Sequence, residues 1–195
     1  MLKLRIDFMS LFHKGPKTIK DDFIVCLITG YQGTGKTYFA VYNAEKYLKQ
    51  PTIYTNIQTY HSAKHKIQYF TQIEEIYSIQ DKNAVFIIDE ISKKYTKNSL
   101  QDKDFYAWLQ QSRKHNRYVY LITQEYIQVP TWLRGVANKI YTTKKLGFLF
   151  KTDVGYPVLD KDTMDWNIDV YGSYIYKRNK KYSDLYDTFE YINSL

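Results

Sequence analysis

The sequence predicts an α/β domain with a mainly parallel central sheet flanked by helices, and two observations carry that prediction. Four apolar runs rich in β-branched and aromatic residues, "FIVCLIT" (23–29), "TIYTNI" (52–57), "AVFIID" (84–89) and "YVYLIT" (118–123), are separated by helical patterns over 35–49, 71–79 and 102–115. Strands alternating with helices imply parallel βαβ units, and strands that are apolar almost without interruption imply a sheet covered on both faces.

Each element has its own signal. In the 102–115 segment Phe105, Trp108 and Leu109 recur at a spacing of three to four, which puts them on one helix face. After Gln124 the stretch "EYIQVPTWLRGVAN" is broken by Pro130 and reads as a loop with a short helix, followed by a fifth strand, "KIYTTKK". Residues 146–175 read as short strands with turns at Gly147, at 155–157 and at Gly172, added antiparallel at a sheet edge. We find no repeat and no linker, so one domain is expected over 1–195, with 1–21 as an N-terminal extension and 146–195 as short C-terminal strands and a tail.

Composition bounds the function. An apolar fraction of 44% with 25% charged residues is ordinary for a soluble globular chain. No apolar run reaches the length of a membrane span, and Lys3, Arg5 and Asp7 interrupt the N-terminus, so neither a membrane partner nor a signal peptide is expected. The single cysteine, Cys26, lies in an apolar strand and reads as a small buried hydrophobe. A net charge of +8 attracts polyanions, although a merely basic, soluble protein has the same charge. The 21 tyrosines are compatible with a compositional bias and are not read as a base-stacking platform.

"GYQGTGKT" (30–37) fits the pattern Gly-x-x-x-x-Gly-Lys-Thr in the context that pattern requires, a strand before and a helix after. Gly30, Gly33 and Gly35, with Thr34 in the same loop, allow successive N–H groups to face a phosphate chain, and the helix start adds its positive dipole end. Lys36 is placed to neutralise β- and γ-phosphate oxygens, and the Thr37 hydroxyl to ligate Mg²⁺. ATP and Mg²⁺ are the expected cofactors. In "VFIIDE" four apolar residues run into Asp89 and Glu90, so both carboxylates fall at the C-terminal end of a buried strand, where parallel sheets bind ligands. Asp89 reads as a magnesium holder acting through water, and Glu90 as the general base for an attacking water. An isolated Asp-Glu after a strand reads instead as a helix N-cap. Gln124 and Asn56 end two further strands. A resemblance to P-loop ATPases with an extra strand between the two motif strands implies the strand order 5-1-4-3-2, in which Gln124 falls between the Lys36 and Glu90 tips, suited to the γ-phosphate or the lytic water, and Asn56 falls beyond Glu90, suited to holding that carboxylate away.

With "GYQGTGKT", "VFIIDE" and "YVYLITQ" together, the chain resembles the additional-strand P-loop ATPases of the FtsK/HerA clade. Within it, the chain is most similar to DNA-packaging ATPases of small tailed phages and to zonula-occludens-toxin-like phage assembly ATPases. "IYTNI", "WLQQSRKHNRYVYLITQ" and the late "YSDLYDTFE" carry the likeness further, with specific motifs over roughly 22–145. The resemblance implies a homo-oligomeric ring, a pentamer in the small-phage motors, that docks at a capsid portal and translocates double-stranded DNA on ATP. The implied location is the host cytoplasm and, transiently, the procapsid portal vertex.

The resemblance also implies an arginine finger from a neighbouring subunit, and the family spacing, eleven residues before Gln124, selects Arg113. Arg117 and Arg134 are the other candidates, and any of the three could instead serve solvent or a surface carboxylate. For DNA, pore loops following strands point to Lys64 and Lys66 in "HSAKHK", and to Lys93 and Lys94, with Lys97, in "SKKYTKNS". "YKRNKK" (176–181) suits DNA, a structural RNA or the portal. A solvated face is the competing reading for each cluster. Two alternative functions remain: a membrane-associated phage assembly or secretion ATPase, and a P-loop nucleotide or nucleoside kinase, against which the scarcity of arginines and the Glu beside Asp89 count.

Overall fold

In the computed structural model, which describes residues 24–187, the chain runs β1 (Ile24–Thr29), α1 (Lys36–Tyr47), β2 (Thr52–Thr55), β3 (Lys66–Tyr69), β4 (Ala84–Ile88), α2 (Ile91–Lys94), α3 (Lys103–Gln111), β5 (Tyr118–Ile122), α4 (Thr131–Val136), β6 (Lys139–Leu146), β7 (Leu149–Asp160), β8 (Asp165–Tyr176) and α5 (Lys180–Ser183). The strands among the described residues form one sheet in the order β3-β2-β4-β5-β1-β6-β7-β8. The five runs predicted as strands become β6, β1, β5, β4 and β2, side by side in the predicted order and parallel throughout. The 1–21 extension and the end of "YSDLYDTFE" lie outside the described residues.

Period-2 geometry divides the sheet's side chains between two cores. Cys26, Ile28, Ile53, Val85, Ile87, Tyr120 and Ile122 meet α1 on one face. Val25, Leu27, Phe86, Ile88, Val119, Leu121 and Ile140 meet α3, α4 and the 73–78 segment on the other. This two-sided burial is the reason the strands read as continuous apolar runs. Cys26 is 2% exposed, as a buried hydrophobe should be.

The structure corrects the sequence reading in three places. Residues 71–79 give only a 3₁₀ segment, Ile73–Ser78, with a capping box between Gln72 and Glu75 and just Ile73 and Ile76 buried, too little apolar surface to sustain α-helix. The "HSAKHK" segment is not a loop at the strand tips. It leads back to the N-terminal edge of the sheet and into β3, which pairs with β2 in parallel from Thr52 and Lys66 onward; a four-residue edge strand carries too little hydrophobic pattern to be read from sequence. Residues 149–176 form two twelve-residue strands instead of several short ones. Their register shifts between Val154 and Gly155, so Gly155 marks a β-bulge and not a turn, and Gly172 pairs with Val154 inside β8. Pro157 is tolerated because the β6 pairing ends with Ile140 opposite Gly155, leaving only β8 beside it. The hairpin therefore runs on past the N-terminal edge of the parallel strands.

Beyond β8 the chain turns back over α1. The Asn179 N–H donates to the Tyr38 hydroxyl at 2.9 Å, the Tyr182 ring packs edge-on against Tyr42 at 4.9 Å, and the His61 N–H donates to the Leu185 carbonyl at 2.9 Å. As a result every residue from Tyr38 to Ala44 is buried, so α1 has no solvent face over its centre.

Two of the arginines named above serve the fold. Arg117, at the foot of β5 and 2% exposed, donates from Nη2 to the Ile79 carbonyl at 2.6 Å and from Nε to the Asp81 carbonyl at 2.9 Å, with its guanidinium over Phe86 and Trp108. Arg134 is 1% exposed, pairs with Asp165 at 2.7 Å and so ties α4 to the start of β8. Replacing Arg117→Ala leaves two carbonyls without their donor and a void against two rings. It should lower stability by roughly 2–3 kcal/mol, read as a shifted urea midpoint, while the nucleotide affinity of the folded fraction stays unchanged.

Candidate functional site

β1 ends between β5 and β6, and the loop that follows is held from both sides. The Gly30 N–H donates to the Gln124 carbonyl at 3.0 Å, on the β5 side. On the β6 side, the Thr34 hydroxyl meets the Thr143 hydroxyl at 2.8 Å and donates to the Tyr31 carbonyl at 2.7 Å, while Thr143 Oγ1 donates to the Thr29 carbonyl at 3.2 Å. Gly30 has φ of +148°, and a Cβ there would lie 2.4 Å from the Thr143 carbonyl oxygen, so only glycine fits. Gly35, at φ of +91°, caps α1, whose first N–H groups open toward the loop. Thr143 was not identifiable from sequence: it is one threonine of a pair in "KIYTTKK", and only the β1–β6 register brings it under the loop.

The Lys36 ammonium curls back within this loop, donating to the Gly30 carbonyl at 2.7 Å and the Tyr31 carbonyl at 3.1 Å. Burial holds it below its ordinary pKa, while Asp89 and Glu90 opposite pull it back up. Thr37 Oγ1 donates to Asp89 Oδ2 at 2.9 Å, and Asp89 Oδ1 accepts the Glu90 N–H at 2.8 Å. Burial pushes the Asp89 carboxyl above its usual range; those two hydrogen bonds and Lys36 pull it down, and Glu90 adds to the rise. Two hard oxygen donors this close, beside a phosphate loop, suit Mg²⁺, which takes few protein ligands and shares the rest with phosphate and water.

Glu90 sits in the left-handed region at φ 52°, a conformation that costs a residue with a side chain and marks a constrained position. Its carboxylate is ion-paired with Lys93 in the next turn. Asn56 does not hold that carboxylate. Its amide pairs with the Asp89 backbone, accepting from the Asp89 N–H at 2.7 Å and donating to the Asp89 carbonyl at 2.9 Å, so it fixes the tip of β4 instead. The reason is register: β2 lies beside β4, and its tip meets the backbone before the next side chain. Gln124 is exposed two residues past β5, between the β1 and β4 tips, as the strand order requires.

The basic candidates divide. Lys64 Nζ donates to the Glu45 and Leu48 carbonyls at 2.7 and 2.8 Å, serving as a C-terminal cap of α1, and Lys66 opens β3. Both stand at the sheet edge opposite the phosphate loop, which removes the premise that made them pore residues. Lys94 pairs with Glu74 and Lys93 with Glu90, so a DNA phosphate would have to compete for either. Arg113 is exposed in the turn after α3, beside Gly135, Val136 and Asn138 at the N-terminal edge of the sheet, and cannot reach the phosphate loop of its own chain. Arg117 and Arg134 are engaged internally. Arg178 was missed as a site residue: its Nη2 comes within 3.4 Å of where a Gly35 Cβ would stand, although it is 143 positions away in the chain.

The buried charge of Asp89 should make this site a stability cost. A carboxyl whose folded pKa is raised binds a proton more readily folded than unfolded, so wild-type stability falls as pH rises through that raised pKa. Asn in its place can still accept from the Glu90 N–H and donate to Thr37. In buffer free of nucleotide and metal, Asp89→Asn should melt above wild type at pH 7, and the difference should shrink on acidification. An advantage independent of pH would rule out the burial of charge as its cause.

Comparison with known proteins follows the same lines. The chain matches the zonular occludens toxin (Zot) family over residues 24–188. No curated protein matches the sequence. Among solved structures it is similar to the N-terminal domain of zonular occludens toxin from Neisseria meningitidis, with 22% identity, TM-score 0.63, and coverage of 86% of this chain and 100% of that one. It is also similar to the genome packaging NTPase B204 from Sulfolobus turreted icosahedral virus 2 in complex with AMPPCP, with 12% identity, TM-score 0.54, and coverage of 77% and 98%. The RadB recombinase shares the fold at 13% identity and TM-score 0.55, over 80% and 87% of the two chains. With its Gly-Lys-Thr loop between β1 and α1 and a match covering most of its length, the chain belongs to the zonular occludens toxin family and has the P-loop NTPase fold.

Proposed function

We propose that this protein is an ATPase that works as a homo-oligomeric ring to drive double-stranded DNA into a phage capsid. The observation that carries the ATPase reading is the meeting, at one sheet edge, of Lys36 and Thr37 with Asp89, Glu90 and Gln124. In this reading the triphosphate lies along the loop N–H groups and the start of α1. Lys36 leaves the Gly30 and Tyr31 carbonyls for phosphate oxygens. Thr37 and, through water, Asp89 would hold magnesium, which would neutralise part of the phosphate charge. Glu90 accepts the proton of the attacking water, and Gln124 orients that water or the γ-phosphate.

Arg113 faces away from its own loop, so in a ring it is offered to a neighbour's site, where a guanidinium stabilises charge on the transferring phosphoryl group. The DNA reading is supported by the net charge of +8 and by likeness to a viral genome packaging NTPase. A pentamer at a capsid portal, with a structural RNA as a further partner for 176–181, and a cytoplasmic life before docking belong to the same proposal. Coupling to DNA runs through Lys93: phosphates that draw this lysine away free the Glu90 carboxylate for water.

The family match favours a second reading, a phage assembly ATPase working at a membrane with protein partners. Stimulation of hydrolysis by double-stranded DNA, compared with stimulation by lipid vesicles, separates the two.

Lys36→Ala should lose nucleotide binding, whereas Glu90→Gln should keep it and lose about 10²–10⁴ in hydrolysis rate. A Glu90→Gln protein near the wild-type rate ends the general-base assignment. Lys93→Ala should raise hydrolysis without DNA and flatten its stimulation by DNA, seen in paired steady-state assays; an unchanged ratio removes Lys93 from the coupling. Arg113→Ala and Glu90→Gln subunits, each inactive alone, should regain partial activity when mixed. No recovery in mixed rings excludes Arg113 as the finger.

A further inference from the structure

The last described stretch of the chain packs on α1 and brings the Arg178 side chain to the start of that helix. Its guanidinium carbon is 4.5 Å from the Phe150 ring centroid and 5.6 Å from that of Tyr38, and Nη2 comes within 3.4 Å of the position of a Gly35 Cβ. Nε is buried with no hydrogen-bond partner, and among the described residues no carboxylate forms a salt bridge with Arg178. Of the four basic residues in "YKRNKK", Lys177, Lys180 and Lys181 are exposed, and only Arg178 turns inward.

Two aromatic faces orient a guanidinium without neutralising it, and its planar fork then presents N–H groups in a fixed direction. Arginine stays charged at any physiological pH, so a half-buried one with no anionic partner retains both its desolvation cost and its donors. Gly35 is the residue that opens α1, where the loop would pass the inner phosphates of a nucleotide. Resting on the nucleotide-site reading above, we infer that Arg178 binds the α- and β-phosphates of the nucleotide held by its own subunit. The arginine is anchored from the far side. The Asn179 N–H donates to the Tyr38 hydroxyl, and Tyr186, at the end of the same stretch, is buried in the core over α1. Nucleotide binding is thereby joined to the docking of the C-terminal stretch on α1.

The test uses Arg178→Gln, which keeps the aliphatic stem against the rings and removes the charge, with Arg178→Lys as the charge-retaining partner. Equilibrium binding of ATP, ADP and inorganic tripolyphosphate is measured by calorimetry, with unfolding midpoints taken alongside so that lost folding is not mistaken for lost affinity. Loss of a charged hydrogen bond should weaken all three ligands by at least about tenfold in Arg178→Gln, with part restored in Arg178→Lys. Unchanged affinities overturn the inference. A loss for ATP and ADP but not for tripolyphosphate puts the guanidinium on the base or ribose, and a loss for ATP and tripolyphosphate but not for ADP puts it on the γ-phosphate; either overturns the placement. Lys36→Ala is run in parallel: if it too binds normally, the phosphate-loop reading itself has failed, whereas normal binding by Arg178→Gln alone sinks only this inference.

Discussion

The rest of the structure depends on how the end of β1 is held while its backbone leaves the sheet. A strand that stops pairing exposes N–H and carbonyl groups that need partners. Here the first of them, the Gly30 N–H, is taken by Gln124 from one neighbouring strand, and Thr143 from the other neighbour supports Thr29 and Thr34. With both flanks fixed, and the Thr34 N–H donating to the Tyr31 carbonyl at 3.3 Å, the loop keeps its shape while the start of α1 opens toward it. The same close approach explains why a side chain at position 30 would collide with Thr143.

Around that loop the charges are arranged under tension. Lys36, Asp89 and Glu90 share a partly buried edge, where both carboxylates act on Lys36, and Lys36 and Glu90 act in opposite directions on Asp89. Asp89 is steadied by three separate hydrogen-bonded contacts, from Thr37, Glu90 and Asn56, the last through the backbone. Glu90 is held in an uncommon backbone conformation and ion-paired to Lys93. An edge of this kind carries the desolvation cost of charges held partly out of water.

The C-terminal stretch links the fold to the site. A helix following a phosphate loop normally keeps one face in water, but α1 is covered on the sheet side by Cys26, Ile28 and their neighbours and on the outer side by Tyr176, Tyr182 and Tyr186. The outer cover brings Arg178 to Gly35. Three arginines that look alike in sequence thus have three different settings: Arg117 bonds carbonyls of its own chain, Arg134 pairs with Asp165, and Arg178 is oriented by rings.

Much of the scaffold was legible because it is written locally. Apolar runs separated by helical periodicity imply the parallel strands, and the spacing of Gly30, Gly35, Lys36 and Thr37 implies the loop; both patterns need only a few consecutive residues. Asp89, Glu90 and Gln124 could be placed because a strand's last residue lies at a sheet edge whatever the partners are. What depends on register or on distant chain could not be read. The length of β7 and β8, the identity of Lys64 as a helix cap, the attachment of Asn56 to backbone rather than to Glu90, and the arrival of Thr143 and Arg178 at the loop all follow from which strand lies beside which and where the chain returns. These are contacts between residues tens to more than a hundred positions apart, and no local pattern encodes them, because their energy exists only once the sheet has brought the two segments together.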